Sequence, residues 1–319
     1  MLGIDRRAVG PVVLSASVFA LTGCNPPSAG TDSAPRAAAP AKSPAADVAP
    51  VPYVYPAPVK GHYQEVNTGT FDLVDGIAYA ADGGTTVVYA AAKSIASPVL
   101  AGSTCPMTQA RALTLLRNAG FLEVKLDAAG RSSYFAGGTP YGGRGREEEA
   151  GSHYWKVAGG KLADGRIAGS VTYKGHGRFD FDLPVLKPGV NEVSEGDRVQ
   201  GRRADETRRA PSEAELIAAY TAMRRAALVK DLRAMLEAQG FEAKQIEAIR
   251  GLPGIDADLP AHADRFLAPG APEEPSVGPG HGSVGASGKN SKGAAFVNYY
   301  QFEPCGDKLV LVGIGENPQ

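Results

Sequence analysis

The sequence predicts an α+β fold: an antiparallel, β-rich domain with a helical hairpin at about residues 212–250, closed by one disulfide. Short runs rich in β-branched and aromatic residues are bounded by turn dipeptides, a pattern typical of antiparallel strands. One long segment instead repeats its apolar residues at helical spacing. Two cysteines, Cys105 and Cys305, stand near the two ends of the region that carries these patterns.

The first half of this region, from about residue 60, predicts strands around one helix. Residues 85–92 (TTVVYAAA) are rich in β-branched side chains, and Asp75-Gly76 supplies turn chemistry. Residues 106–119 keep apolar side chains at helical spacing and are followed by a glycine, which predicts a helix. Residues 121–127 (FLEVKLD) then alternate as a strand.

The middle of the region predicts a loop followed by antiparallel strands. Residues 137–151 are rich in glycine and charge, which predicts a mobile loop. Residues 152–186 alternate apolar and polar side chains around an Asp-Gly turn, which predicts two or three antiparallel strands.

The last part of the chain predicts two helices and two closing strands. Ser212 and Glu215 form a capping box at the start of a long apolar stripe, and a shorter helix follows, which completes the helical hairpin. Residues 269–294 are rich in Gly, Pro and Ser, which predicts a second mobile loop. Residues 296–304 and 308–315 predict the closing strands.

Charge and hydropathy exclude several classes of protein. The 319 residues carry 33 Lys and Arg against 34 Asp and Glu, so no net field favours nucleic acid. No uninterrupted apolar run reaches the roughly 20 residues that a membrane-spanning helix needs, which excludes a polytopic membrane protein. Residues 60–319 are expected to form a single folded domain.

The first 24 residues have the layout of a secretory signal. Two arginines precede an apolar stretch that is too short to span a membrane, and the stretch ends in Leu21-Thr22-Gly23-Cys24. These four residues resemble the lipobox of bacterial lipoproteins. The resemblance implies removal of a signal peptide over residues 1–23, acylation of Cys24 and attachment to the membrane. Asn25 is not the aspartate that signals inner-membrane retention in this family, so the outer membrane is favoured. The alternative is an ordinary secretory signal with a chance cysteine.

Residues 24–59 are dominated by Pro, Ala and Ser. Such a stretch cannot bury enough apolar surface to fold, and its prolines favour an extended conformation. We therefore predict a flexible tether that holds the folded domain away from the bilayer.

The cysteine count predicts one disulfide. Cys24 is used for lipidation, which leaves Cys105 and Cys305 as an even pair in an exported chain. The competing interpretation is a cysteine nucleophile with a histidine partner, but no histidine stands in a recognisable signature beside either cysteine. The histidines are His62, His153, His176, His262 and His281.

The densest acidic and histidine-containing cluster is the only metal candidate that merits a test. It lies in GIDADLPAHADRF and holds Asp256, Asp258, His262 and Asp264. Oxygen ligands with one histidine suit a divalent cation. The alternative is a solvated loop in which an aspartate turns the chain. We predict neither a metal nor a cofactor.

Two further groups carry a chemical interpretation beside a structural one. Asp180 and Asp182 have the spacing for paired acid–base carboxylates, but strand alternation alone places both on a solvent face. His153, Tyr154 and Trp155 suit a glycan- or peptide-binding surface, but a lone tryptophan more often anchors a core.

The glycine and charge motifs are read as non-catalytic. Gly280–Gly285 matches G-x-G-x-x-G, but no strand precedes it and no helix follows it, as nucleotide binding needs. Gly288-Lys289 resembles part of a phosphate-binding loop, but Ser283 stands where that loop needs a glycine and Asn290 where it needs Ser or Thr. We reject nucleotide binding. The charge runs Glu147–Glu149 and Arg202–Arg209 are either solvated or dock an oppositely charged partner.

Two hypotheses about function follow from this organisation. The first is a lipid-anchored envelope protein that displays a protein-binding domain, in a structural, assembly, inhibitor or immunity-like role without catalysis. Its partners are the membrane, through Cys24, and an envelope protein, but neither nucleic acid nor a nucleotide. The alternative is an enzyme or a ligand- or metal-binding protein that acts on peptidoglycan or an envelope metabolite. No hydrolase signature such as G-x-S-x-G or H-E-x-x-H occurs in the sequence.

Overall fold

The computed structural model describes residues 58–65, 69–139, 155–173, 177–189, 191–194, 208–289 and 293–318. Within these ranges the chain forms two mainly antiparallel sheets and six α-helices, which confirms the predicted α+β class. The predicted signal peptide, all but the last two residues of the predicted tether, and most of the predicted loop at residues 137–151 lie outside the described residues.

Nine strands form the first sheet. They are β1 (Val59–Glu65), β2 (Gly69–Leu73), β3 (Asp75–Ala80), β4 (Thr86–Ala91), β5 (Phe121–Leu126), β6 (Ser132–Gly138), β7 (Trp155–Ala163), β8 (Arg166–Tyr173) and β9 (Gly177–Leu186). The order is β2-β1-β9-β3-β4-β5-β6, with β8 and then β7 added beside β9. β9 pairs with β8 along one edge. Its other edge pairs first with β1, antiparallel at residues 177–181, and then with β3, parallel at residues 185–186.

Two helices follow β4, and the second is the most deeply buried element. They are α1 (Ser97–Leu100) and α2 (Pro106–Leu116). Pro106 suits the first position of α2, because the N–H that proline lacks has no partner there. Every residue of α2 is buried, since the helix contacts β3 of the first sheet on one side and β14 of the second sheet on another.

The second sheet corrects one prediction. Its strands are β10 (Pro269–Pro272), β11 (Ser276–Gly278), β12 (His281–Lys289), β13 (Ala295–Cys305) and β14 (Lys308–Pro318). Their order is β10-β12-β13-β14, and β11 also pairs with β12. The predicted loop at residues 269–294 is therefore wrong over β10, β11 and β12. The glycines of β12 serve close packing instead, because a Cβ at Gly282 would lie 2.7 Å from Leu216.

The helical region predicted at residues 212–250 is confirmed, and a further helix follows it. The helices are α3 (Glu213–Val229), α4 (Leu232–Ala238), α5 (Ala243–Arg250) and α6 (Ile255–Leu267). Ser212 and Glu215 form the predicted capping box at the start of α3. α3 ends where Lys230 takes a left-handed conformation (φ 48°), and Asp231 then caps α4.

Two apolar cores result from this arrangement. One fills the inside of the first sheet and includes Phe135, Phe179 and Phe181. The other joins α2, the helices α3 to α6 and the second sheet, and its largest side chains include Tyr220 and Tyr300. Since α2 belongs to this second core and also covers the first sheet, it ties the parts of the fold together.

Candidate functional site

Cys105 and Cys305 lie at disulfide-bonding distance, as the sequence predicted. Cys105 immediately precedes α2 and Cys305 ends β13, and their Cα atoms are 5.5 Å apart although 200 positions separate them in the chain. The pair therefore fastens the last two strands to the start of the central helix.

The four metal candidates lie on α6, so the alternative explanation of a solvated loop is wrong for this segment. Asp258 Oδ1 and Oδ2 pair with Lys93 Nζ (2.6 Å) and Arg117 Nε (3.2 Å), and Asp264 pairs with Lys230 (3.3 Å). Asp256 is exposed. Asp258 and Asp264 thus pair with basic side chains from different parts of the chain. Among the described residues, no group of three or more His, Cys, Asp or Glu side chains is placed to hold a metal ion.

His262 is a core residue of α6. It is 1% exposed and lies on the buried face between Leu259 and Phe266, with its ring 5.5 Å from that of Phe266. Burial lowers the pKa of His262 to about 3, and the positive charge of Arg265 lowers it further. The imidazole is therefore neutral at physiological pH.

The paired aspartates of β9 belong to a solvent face, as strand alternation predicted. Asp180 pairs with Arg178 and Asp182 with Arg166, each at 2.8 Å, and all four side chains are exposed. Ion pairs between exposed side chains of this kind are common on protein surfaces and contribute little to stability. We assign both aspartates to the surface of the sheet.

Trp155 anchors the end of the first sheet. Its ring stacks on Phe135 and Tyr173, with ring centroids 3.2 Å and 4.0 Å apart, and it is partly buried against the first core. Trp155 on β7 lies opposite Tyr173 on β8. Tyr173 lies opposite Gly177 on β9, and Gly177 lies opposite Tyr63 on β1. The core interpretation is therefore confirmed for Trp155, while His153 and Tyr154 lie outside the described residues.

The glycine motif lies at the start of a strand hairpin. Most of Gly280–Gly285 opens β12, Gly288-Lys289 ends it, and the next described element is β13 and not a helix. Among the described residues, these glycines are thus not followed by the helix that a phosphate-binding loop of either kind needs.

Of the two charge runs, only Arg208 and Arg209 lie in the described residues. Arg209 pairs with Glu215 of the capping box, and its backbone N–H donates to Asn191 Oδ1 (2.5 Å). These contacts fasten the start of α3 to the segment that follows β9.

An apolar cleft lies where β9 passes from β1 to β3. Its volume is about 180 Å³, and it is open to solvent on one side. Three prolines and three aliphatic side chains form most of its lining: Pro58, Pro98, Pro184, Ile77, Leu183 and Leu186. The cleft exists because β1 and β3 occupy successive stretches of one edge of β9 and leave a gap between them. Its apolar lining and open side make this cleft a candidate binding site.

Ser97 is the polar group of the cleft, and Asp75 holds it. The Ser97 hydroxyl donates to Asp75 Oδ1 (2.6 Å), and the same carboxyl group accepts the N–H groups of Ile95 (2.7 Å) and Gly76 (2.8 Å). Asp75 is 1% exposed, and burial raises its pKa although these hydrogen bonds oppose the shift. The turn before α1 is further fixed by Ala96, which takes a left-handed conformation (φ 55°). Asp75 therefore positions α1 as one wall of the cleft.

A buried cluster of charged side chains joins α2 to a strand of each sheet. Arg111 Nη1 donates to Glu303 on β13 (3.0 Å), and Arg111 Nη2 pairs with Glu123 on β5 (3.4 Å). One guanidinium thus links a strand of each sheet through the central helix. All three side chains are at least 96% buried, so the cluster fixes the fold and presents no surface to a substrate.

Sequence analysis missed both the cleft and this cluster. The cleft is lined from four separate stretches of chain, none of which carries a motif. Asp75-Gly76 was read as a turn, but it begins β3, where a Cβ at Gly76 would lie 2.5 Å from the carbonyl oxygen of Tyr89. An aspartate at the start of an apolar strand is a weak sequence signal for a side chain that is buried and hydrogen-bonded.

Comparison with known proteins adds no relative: no family model, no curated protein and no solved structure matches the chain. Within the described ranges, no helix combines the length and apolar character needed to cross a membrane. The fold and site define only a class, an α+β protein with a cysteine pair at bonding distance and an open apolar cleft.

Proposed function

We propose that this chain is a lipid-anchored protein of the bacterial cell envelope whose folded domain binds another envelope protein, in a structural, assembly or inhibitory role. The lipobox at Cys24 supports the anchor, and Asn25 favours the outer membrane. The observation that carries the binding role is the apolar cleft beside α1.

The size and chemistry of the cleft suit a side chain of a partner protein. Pockets for drug-sized ligands run to roughly 300–1,000 Å³, whereas this cleft measures about 180 Å³. One apolar anchor residue of a partner fits such a volume, and anchors of this kind carry much of the energy of protein interfaces. Because the Ser97 hydroxyl donates to Asp75, its oxygen can accept one hydrogen bond from the bound segment.

The test is affinity capture from envelope extract with the full-length, acylated protein as bait. Ala101→Trp fills the cleft from its exposed rim, and Ala257→Trp places the same side chain on the exposed face of α6 as a matched control. We expect one dominant partner, captured equally by the wild type and the control. Capture by Ala101→Trp should fall about tenfold, because losing one buried apolar anchor costs roughly 1.4 kcal/mol or more.

Two results would contradict the binding role. Equal capture by Ala101→Trp would separate the partner from the cleft, and capture abolished by a chelator would favour the alternative of a metal- or ligand-binding protein. The anchor is tested separately, since Cys24→Ser should release the protein from the membrane fraction.

A further inference from the structure

Glu192 holds the start of the central helix from outside it. The residue is 5% exposed and lies in the short described segment 191–194 that follows β9. Its Oε1 accepts the N–H groups of Met107 (2.7 Å) and Thr108 (3.0 Å), and its Oε2 accepts the N–H of Gly189 (3.1 Å). One carboxyl group therefore occupies two of the free donors in the first turn of α2.

The same segment brings this carboxyl group close to the cysteine pair. A Cβ placed on Gly189 would lie 3.3 Å from Cys105 Sγ and 3.4 Å from Glu192 Cγ, so Gly189 lies close to both the sulfur and the Glu192 side chain. Cys105 is 2% exposed, whereas Cys305 is only partly buried. Because Cys305 is the more exposed residue of the pair, we expect a reductant to attack its sulfur, which makes Cys105 the leaving sulfur.

The N-terminus of a helix ordinarily stabilises a thiolate at such a position. Free N–H donors and the helix dipole lower the pKa of the thiol and make it a better leaving group. Here Glu192 already holds the Met107 and Thr108 donors, and its negative charge opposes a second negative charge nearby. Both effects make a Cys105 thiolate less stable.

We propose that Glu192 protects a Cys105–Cys305 disulfide against thiol reductants. In the reduction, a thiolate of a dithiol attacks Cys305 Sγ, the S–S bond breaks and its electron pair leaves on Cys105 Sγ. The second thiol of the reductant then attacks the mixed disulfide, releases Cys305 as a thiolate and closes a cyclic disulfide. The protein gains two electrons, the dithiol loses two, and the thiolates are protonated by solvent according to pH.

The surroundings of Glu192 decide when its charge is present. The positive charge of Arg111 on α2 favours the carboxylate form of Glu192. The negative charges of Glu192, Glu123 and Glu303 act in turn on the hydroxyl group of Tyr79 on β3. Burial outweighs the hydrogen bonds and raises the pKa of Glu192 to about 7. The protective charge is therefore present above neutral pH and is lost below it.

The test measures the rate constant for reduction of the full-length protein by dithiothreitol, with thiols counted by alkylation and mass spectrometry at successive times. Glu192→Gln keeps a hydrogen-bond acceptor but removes the charge, and Glu247→Gln, at an exposed site, is the matched control. At pH 8 we expect Glu192→Gln to be reduced roughly threefold faster than the wild type or more, because a leaving thiol of lower pKa departs faster. At pH 6, where the wild-type carboxyl group is protonated, the two proteins should agree within about twofold.

A purely structural role for Glu192 would not give this pH dependence. Equal reduction of the wild type and Glu192→Gln at pH 8 would overturn the proposal, as would a difference that persists unchanged at pH 6. If Glu192→Gln does not fold, Glu192→Asp withdraws the charge by one methylene and should shift the constant in the same direction by a smaller factor. No shift in that variant would also overturn the proposal.

Discussion

Three buried ionisable residues show how individual side chains are accommodated in this protein. Asp75 is surrounded by N–H and hydroxyl donors, so its burial is compensated locally. His262 is buried on an apolar helix face, which keeps it neutral. Glu192 accepts three N–H groups, yet desolvation still raises its pKa to about 7. The pKa of Glu192 therefore lies near physiological pH.

Glu192 gives the stability a pH dependence that its replacement should remove. The pKa is about 7 in the folded protein against 4.5 for the free side chain, so the folded state holds a proton that the unfolded chain releases. This contribution is complete below about pH 4.5 and is lost as the pH rises through 7, by about 3 kcal/mol in total.

We therefore expect the stability difference between wild type and Glu192→Gln to change by about 3 kcal/mol between pH 5 and pH 9, in favour of the variant at high pH. Urea unfolding at a series of pH values measures it, and Glu247→Gln controls for loss of a surface charge. A constant difference across the series would show that Glu192 is not titrating in the folded state.

At the scale of elements, the glycines of β12 decide how closely the second sheet and α3 approach. A Cβ at Gly282 would lie 2.7 Å and 2.9 Å from the two terminal carbons of Leu216, which is fully buried, and 3.0 Å from Pro211. Gly315 on β14 has no heavy atom within 4 Å of the same position. The two glycines therefore differ in what a side chain would meet.

Gly282→Val should destabilise the protein by about 1–3 kcal/mol, because a β-branched side chain overpacks the contact with α3. Gly315→Val, on the same sheet but in open space, should change the stability by less than about 0.5 kcal/mol. Thermal or urea unfolding measures both. If both variants lose the same stability, the effect of replacing Gly282 comes from intrinsic strand preference and not from its packing against α3.

These elements also show where sequence reasoning succeeds and where it does not. The capping box of Ser212 and Glu215 is a local signal, and the structure contains it. β10, β11 and β12 were missed because glycine-rich composition looks the same in a loop and in a strand packed against a helix. α6 was missed because Asp256, Asp258 and Pro260 suggest a loop. The two aspartates instead lie in the first turn of the helix, where its dipole favours negative charge.

At the scale of the whole molecule, the cysteine pair joins the last strands to the central helix. Its pairing was predictable because the expected export of the chain and lipidation of Cys24 leave two cysteines, each with one partner. The cleft was not predictable, since its lining comes together only when β1 and β3 share one edge of β9.

A disulfide across 200 positions should contribute a few kcal/mol to the stability. The chain-entropy account gives on the order of 5 kcal/mol for a loop of this length, and native disulfides typically contribute about 2–5 kcal/mol. The double variant Cys105→Ser with Cys305→Ser should lose this amount in urea unfolding. Two free thiols in the denatured, unreduced protein from the envelope would show that the pair is not oxidised there.

If the cleft beside α1 binds an envelope protein, as we propose, site-specific crosslinking in cells should capture that protein. A photoreactive amino acid replaces Ala101 at the rim of the cleft, and in a control strain it replaces Ala257 on α6. We expect one crosslinked protein from position 101, with the crosslink mapped to an apolar segment of that protein. We expect no crosslinked protein from position 257. Crosslinks from position 101 to lipid alone, or the same products from both positions, would contradict the proposal.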